Sequence, residues 1–365
     1  MPSNPAPQGL DRPELQKAIE EIAASGILGV QLRVDDEHGV WVGSAGCREL
    51  GGSQSPLTDA HFRIGSTTKN FVATTVLMLV AEGRTGLDTP VADQLPQLGL
   101  DRRITVRMLL QHTSGIFNHT GEYYEDGRVA TGIPWQGKEW VDLRFHTYEP
   151  AELVRFSLAR PARFEPGAGW SYANTNYVIA RLLVEELTGR PFAEELRRRI
   201  LEPLHLTGTL APGASPDLPD PHNHSYYRYD DGGVERTIDI TRQNPSWVGA
   251  GGDMISTTAD LHTYFCALMG GVLLPDALLA EMRAPEPTVG YGLGIFAQDL
   301  GEGRTVYHHN GGQGGSAALM YASADGTTTL TAGLNYVDDP GLSLAVPFQK
   351  AQQRLVEEVF GTLGA

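Results

Sequence analysis

Gly65-Ser66-Thr67-Thr68-Lys69 opens a run that continues Asn70-Phe71-Val72-Ala73-Thr74-Thr75-Val76-Leu77-Met78-Leu79-Val80-Ala81 and stops at Gly83. The spacing predicts a helix beginning near Ser66. It is apolar on nearly all sides, so it belongs in a core rather than on a surface. Positions i and i+3 of a helix share a face, which puts the Lys69 amine within reach of the Ser66 hydroxyl. A hydroxyl at a helix start also feels the positive end of the dipole, which favours an alkoxide-like state. Burial and neighbouring positive charge lower a lysine pKa and let it accept a proton at neutral pH. With sixteen serines and four lysines in the chain, chance gives about 0.2 such pairs. The bland alternative is an N-capping serine followed by a solvated lysine. It fits poorly with so apolar a helix.

Working outward, Asp11 and Pro13 start an amphipathic helix to about Ala24, with Leu15, Ala18, Ile19 and Ile22 on one face. Residues 1–10 read as a disordered lead. Ile27–Val34 and Val40–Ala45 read as strands joined by a hairpin loop at Asp35–Gly39. The middle of the chain is helical and rich in Pro and Gly breaks: Val106–Gln111, Pro150–Leu158, Asn174–Thr188 and Phe192–Ile200. Beyond residue 230 a helix at Thr258–Met269 precedes strand-like segments at Tyr291–Phe296, Thr305–His309, Ala317–Ala322 and Thr328–Leu334. A helix at about Leu344–Phe360 follows. Strands at both ends predict one α/β domain from residues 1–85 and 231–365. An all-helical insertion of residues 86–230 forms the second, with a site in the cleft between them.

Composition narrows the function classes. The chain has 365 residues and a net charge of -16, which repels nucleic-acid phosphates and anionic membranes. Cys47 and Cys266 read as free, mostly buried thiols. His222 and His224 lie in a Pro/Asp-rich loop where solvated histidines are expected, so no metal is implied. The first residues lack a basic and apolar leader pattern, and no apolar run reaches membrane-spanning length, which places the protein in the cytoplasm as an expectation.

Two further motifs accompany the first. Ser171-Tyr172-Ala173-Asn174 follows a sharp Glu165–Gly169 turn and precedes a helix. A phenol held near a lysine can relay a proton, and an amide can bind both lysine and a substrate carbonyl. His309-Asn310-Gly311-Gly312 ends a strand, where glycine lets backbone N–H groups approach a substrate. The N–H groups of Ser66 and Gly312 would then form a two-donor oxyanion hole, and His309 could orient the Tyr172 hydroxyl. Each motif alone has an ordinary reading, as a capped helix start or a Gly-rich turn.

Together, in the order Ser-x-x-Lys, Tyr-x-Asn, His-x-Gly, they resemble the serine β-lactamase and penicillin-binding protein superfamily. The branch is that of class C β-lactamase relatives, esterases and the secreted D-alanyl-D-alanine carboxypeptidases of actinomycetes. The likeness extends through Ile104–Arg107, His112-Thr113-Ser114-Gly115, Ser256–Leu261 and Gly290–Gly294, in which His112 and Asp260 read as structural. It implies an α+β, β-lactamase/transpeptidase-like fold: an antiparallel sheet flanked by helices plus the helical insertion. It further implies Ser66 as nucleophile, Lys69 as activator, Tyr172 as general base and acid, Asn174 as substrate-amide ligand and His309 as their strand-borne helper. Whether Lys69 or Tyr172 takes the first proton stays open. Trp247 and Tyr124 fall where relatives place aromatic cleft residues. No cofactor is implied.

The chain departs from the carboxypeptidase pattern where those enzymes bind a free carboxylate. Their arginine is Phe296 here, followed by Ala297 and Gln298, and two of their threonines are Asn310 and Gly312. A buried carboxylate needs a multi-donor partner, and Phe296 offers none. Arg304 is the remaining arginine nearby. The expectation is an acyl-serine hydrolase or transacylase taking a small-molecule or short-peptide ester, thioester or amide, with water or an amine as acceptor, possible in secondary-metabolite biosynthesis. The alternatives are a D-alanyl-D-alanine carboxypeptidase, D-aminopeptidase or β-lactamase, and a non-catalytic relative. The intact motifs speak against the last.

Overall fold

Strands from the two ends of the chain lie side by side. In this computed structural model, which describes residues 11–361, Gly29 pairs with Asn335 and Asp35 with Thr329. The lead of residues 1–10 falls outside the described residues. Strands β1 (Gly29–Asp36), β2 (Gly39–Gly46), β3 (Phe296–Gly301), β4 (Arg304–His308), β5 (Gly311–Gln313), β6 (Ser316–Ser323) and β7 (Thr329–Asn335) form one antiparallel sheet. Its order is β2-β1-β7-β6-β4-β3, with β5 also beside β6.

Alternation along the strands separates two faces. Leu319 and Tyr321 of β6 point to the side covered by helices α1 (Pro13–Ala24) and α5 (Ala345–Phe360), with Leu15, Ile19 and Leu355 between them. Ala318 and Met320 point to the other side, toward α2 (Thr68–Ala81) and α4 (Thr258–Met269). Each fully buried leucine or isoleucine here contributes roughly 1.5–3 kcal/mol. The second core is continuous with the helical part of the chain. It runs on through Leu153, and through Tyr177 and Leu183 of α3 (Asn174–Thr188).

The middle of the chain is not all-helical as expected. Helices at Val106–Leu110, Gly137–Leu143, Pro150–Leu158 and Phe192–Leu196 are interrupted by a small hairpin, Glu122–Tyr123 against Val129–Ala130. Tyr226–Asp230 pairs with Glu235–Asp239 and, in parallel, with Val337–Asp338. Strands this short carry no readable period, and only the Gly127 and Gly232-Gly233 turns mark them. Nor is Tyr291–Phe296 a strand. Gly290 and Gly294 adopt positive φ there, and the segment folds onto α2, with Gly294 O accepting from Asn70 Nδ2 at 2.9 Å. Cys47 and Cys266 are free but only half-buried. His224 pairs with Asp239, and His222 lies against Pro219. Among the described residues no group of His, Cys, Asp or Glu could hold a metal ion, and no helix is long and apolar enough to cross a membrane.

Candidate active site

The start of α2 is wedged against the sheet. A 3-10 turn at Gly65–Thr67 leads into the helix, and this tighter winding brings positions i and i+3 into line. Ser66 Oγ then lies 3.1 Å from Lys69 Nζ. Gly65 has φ +49°, and a Cβ there would sit 2.4 Å from the nitrogen of Gly312. A Cβ on Gly311 would lie 2.5 Å from the nitrogen of Ser66. Only glycines allow this approach, and it sets the N–H groups of Ser66 and Gly312 beside one another. The first N–H groups of a helix have no partner within it, so the pair is suited to a developing oxyanion. Thr67 Oγ1 donates to His309 O at 2.8 Å and fastens helix to strand.

Lys69 is fully buried. Its nitrogen lies 2.7 Å from Asn174 Oδ1 and 2.5 Å from Gly251 O, besides Ser66 Oγ. Burial pushes its pKa well below the usual lysine value, opposed by the charge of Asp253. A neutral amine matches this set: two N–H groups serve the carbonyls and the lone pair faces the serine hydroxyl. Asp253 is itself buried, with one carboxylate oxygen unpartnered among the described residues, and its pKa is raised by burial against the pull of Arg181, Arg63 and Lys69.

Tyr172 completes the group. Its ring centroid is 4.5 Å from Lys69 Nζ, and its hydroxyl bonds to the Ser66 side chain. Burial raises the phenol pKa, opposed by that bond, so the resting tyrosine keeps its proton. Asn174 Nδ2 donates to Thr120 Oγ1 at 3.1 Å, leaving one amide hydrogen for a substrate carbonyl.

His309 does not reach Tyr172. Its Nδ1 donates to Asn310 O at 2.9 Å, so Nε2 accepts from Tyr291 OH at 3.1 Å. Burial lowers its pKa to about 3 and keeps it neutral. Tyr291 stands between the two, its ring centroid 6.4 Å from that of Tyr172. Phe296 packs edge-on against Tyr291 and His309 and face-on against His308. It backs this cluster rather than binding substrate directly. Asn310 is tied back into the sheet by Tyr321 OH, 2.7 Å from its Nδ2. Arg304 donates to Phe360 O and is spoken for at the far end of its strand.

A cleft of about 610 Å³ opens beside Tyr172, walled by Trp135, Trp170, Tyr123 and Asn118. Tyr124, the expected cleft aromatic, is one position out. It lies between the guanidinium groups of Arg128 and Arg163 on the neighbouring depression, because adjacent strand residues face opposite sides. Trp247 is buried and stacks behind Trp135, with ring centroids 6.4 Å apart. The wall is braced by the buried Glu122, which pairs with Arg163 and accepts from Asn118 N, while Asn118 Oδ1 accepts from Asn174 N at 3.0 Å.

His112 holds the Tyr172 segment in place. It has φ +63°. Its carbonyl accepts from Ser171 N at 3.0 Å, its Nδ1 from Ala173 N at 3.2 Å, and its ring lies 4.3 Å from that of Tyr172. The motif His112–Gly115 was the only sign of this in the sequence. We expect His112→Ala to lower kcat about 10–100-fold through misplacement of the phenol. His112→Asn should stay within a few-fold of wild type, since asparagine tolerates positive φ and keeps an acceptor near Nδ1. Steady-state kinetics of the two variants decide it. Equal losses in both would remove His112 from this role.

The profile of the β-lactamase family matches residues 15–351. The chain belongs to the β-lactamase family. It has the β-lactamase fold. Among solved structures it resembles a D-stereospecific amidohydrolase from Streptomyces sp., with 36% identity, a TM-score of 0.81 and coverage of 97% of this chain and 100% of that one. It is also similar to the D-amino acid amidase of Ochrobactrum anthropi SV3, with 25% identity, a TM-score of 0.80 and 95% and 98% coverage. Penicillin-binding protein 4* of Bacillus subtilis is 25% identical over 79% of this chain, and esterase EstB of Burkholderia gladioli 32% over 44%. These matches span 63% and 40% of those two β-lactamase-family relatives' own lengths.

Proposed function

We propose that this β-lactamase-family enzyme hydrolyses neutral amides or esters of small D-amino acids through an acyl-Ser66 intermediate, with water or an amine accepting the acyl group. The observation that carries this is the buried Lys69 amine 3.1 Å from Ser66 Oγ, where burial lowers its pKa and favours the neutral form. Lys69 takes the serine proton as Oγ attacks the carbonyl carbon, and the N–H groups of Ser66 and Gly312 stabilise the oxyanion. Tyr172 gives its proton to the leaving nitrogen or oxygen and regains one from Lys69. Attack by water or an amine on the ester then reverses these transfers and frees Ser66.

Three features favour a neutral donor with an apolar side chain. Phe296, packed among Tyr291, His308 and His309, offers a free carboxylate no partner, and Arg304 is engaged elsewhere. Trp135, Trp170 and Tyr123 make the cleft aromatic. The Streptomyces and Ochrobactrum enzymes are named for D-stereospecific amide hydrolysis.

The test pairs mass spectrometry with turnover. An activated ester should add its acyl mass to the Ser66 peptide, and not in Ser66→Ala. D-phenylalanine amide should be cleaved at least about tenfold faster than the L-enantiomer, a discrimination within reach of side-chain pocket contacts. A label elsewhere would remove Ser66 as nucleophile. Faster release of D-alanine from a D-Ala-D-Ala peptide than of ammonia from the amide would overturn the neutral-donor reading.

A further inference from the structure

A second cavity, of about 170 Å³, lies beside the reaction centre on the other flank of β5. Gly311 and Gly312 form one wall, and Ile27, Ala317, Leu344 and Phe348 make most of the rest apolar. Its position follows from strand alternation. The Cβ direction of Gly311 meets Ile64 O and Ser66 N, whereas that of Gly312 meets Tyr336 OH at 3.7 Å. Gly312 therefore touches both compartments, its N–H facing Gly65 and Ser66 and its Cα side facing the cavity. An apolar cavity of this size holds a group about as large as benzene.

We propose that this cavity is the amine-side subsite, holding the apolar side chain of the amine that leaves from, or attacks, the acyl group on Ser66, and that Asp338 excludes amines bearing a free carboxylate. The proposal rests on the acyl-Ser66 reading above. Asp338 lines the cavity, and its neighbour Asp339 is already neutralised by Arg228 at 2.9 Å. No arginine or lysine lines this cavity, so a carboxylate entering it would meet only like charge, whereas an amide or a plain alkyl or arylalkyl amine meets none. Burial pushes the Asp338 carboxyl up to about 6, so it is largely ionised at pH 8. In aminolysis the amine nitrogen forms the new C–N bond as the C–Oγ bond of acyl-Ser66 breaks. The proton lost by nitrogen passes through Lys69 or Tyr172 to Ser66 Oγ, so no further reactant is needed.

The experiment acylates the enzyme with an activated ester at pH 8 and divides the acyl product between hydrolysis and aminolysis. Leucinamide, glycinamide and free leucine compete as acceptors. The aminolysis-to-hydrolysis ratio is read within one acyl-enzyme, so it does not depend on how fast that species forms. Counted per unprotonated amine, leucinamide should exceed glycinamide by about tenfold or more, as one aliphatic side chain in an apolar pocket allows, and free leucine by a similar factor through the like charge of Asp338. Ala345→Trp, at the exposed start of α5 on the cavity rim, should bring leucinamide down to the glycinamide ratio. Asp338→Asn should raise free leucine toward leucinamide. Equal ratios for all three acceptors in the wild type, or an unchanged leucinamide preference in Ala345→Trp, would overturn the subsite. Absence of any acyl-enzyme would instead overturn the Ser66 reading beneath it.

Discussion

Replacing Lys69 with Met should slow acylation on the order of 10³–10⁴-fold, the scale of a lost general base, while the protein still folds. Methionine is unbranched and close in length, so it fills the space the lysine stem occupies. The variant leaves Asn174 Oδ1 and Gly251 O without the donor they have now, at a cost of about 1–3 kcal/mol. Against this, it removes an amine whose ionised form burial disfavours. The pH dependence separates the two effects. Below about 10.4 an unfolded lysine holds its proton, whereas the folded Lys69 releases its proton at a lower pH. Between those two values the unfolded state binds more protons, so wild-type stability rises with pH and is lost again as pH falls through the folded pKa. Lys69→Met should lack that rise. It should also lack the acid limb of acylation, which in the wild type marks protonation of the base. Single-turnover ester kinetics and denaturation across pH measure both. Acylation within tenfold of wild type would remove Lys69 as the base.

Gly65→Ala should damage both stability and acylation through a single methyl group. The added Cβ would lie 2.4 Å from Gly312 N and 2.7 Å from Gly312 O, both backbone atoms that cannot swing aside, at φ +49°. Strand and helix must separate. The expected loss is roughly 2–4 kcal/mol of stability, from the strained backbone together with overpacking. Acylation should fall at least about a hundredfold, the effect of one misplaced oxyanion donor. Thermal unfolding and burst kinetics check the two losses. The informative control is Gly51→Ala: that glycine also has positive φ, yet its added Cβ meets nothing within 4 Å. It carries the backbone penalty without the clash, so near-native acylation is expected there. If Gly65→Ala acylates as fast as Gly51→Ala, the approach of Gly312 to the helix start is not needed for the reaction.

What could be read in the sequence was whatever local spacing or a long apolar run dictates. The α2 helix, its buried lysine and the serine one turn earlier follow from residues 65–81, and the sheet strands from their alternation. The Asn174 contact to Lys69 was anticipated from chemistry, and the structure has it at 2.7 Å. Links that pass through a third residue were not legible. His309 was expected at Tyr172, but Tyr291 intervenes and takes its Nε2. Tyr124 was placed at the cleft by resemblance, and a two-residue strand has no period that would fix which of Tyr123 and Tyr124 faces it. Asn310 is a candidate substrate ligand by its place after His309, but Tyr321, eleven residues on, holds its amide. His112 shows only as the first residue of the His112–Gly115 motif, and Asp253 has no local pattern. Their importance lies in what surrounds them in space, and a single sequence does not display that.

The pairing of Gly29 with Asn335 has a consequence for the order of events in folding. Ser66 and Lys69 sit three residues apart at the start of one helix, whereas the opposing N–H of Gly312 comes from a strand far along the chain. Contacts between such distant segments close slowly, because loop entropy must be lost before they repay it. The two donors of the oxyanion hole therefore come into register only once the sheet that joins the two ends of the chain has closed.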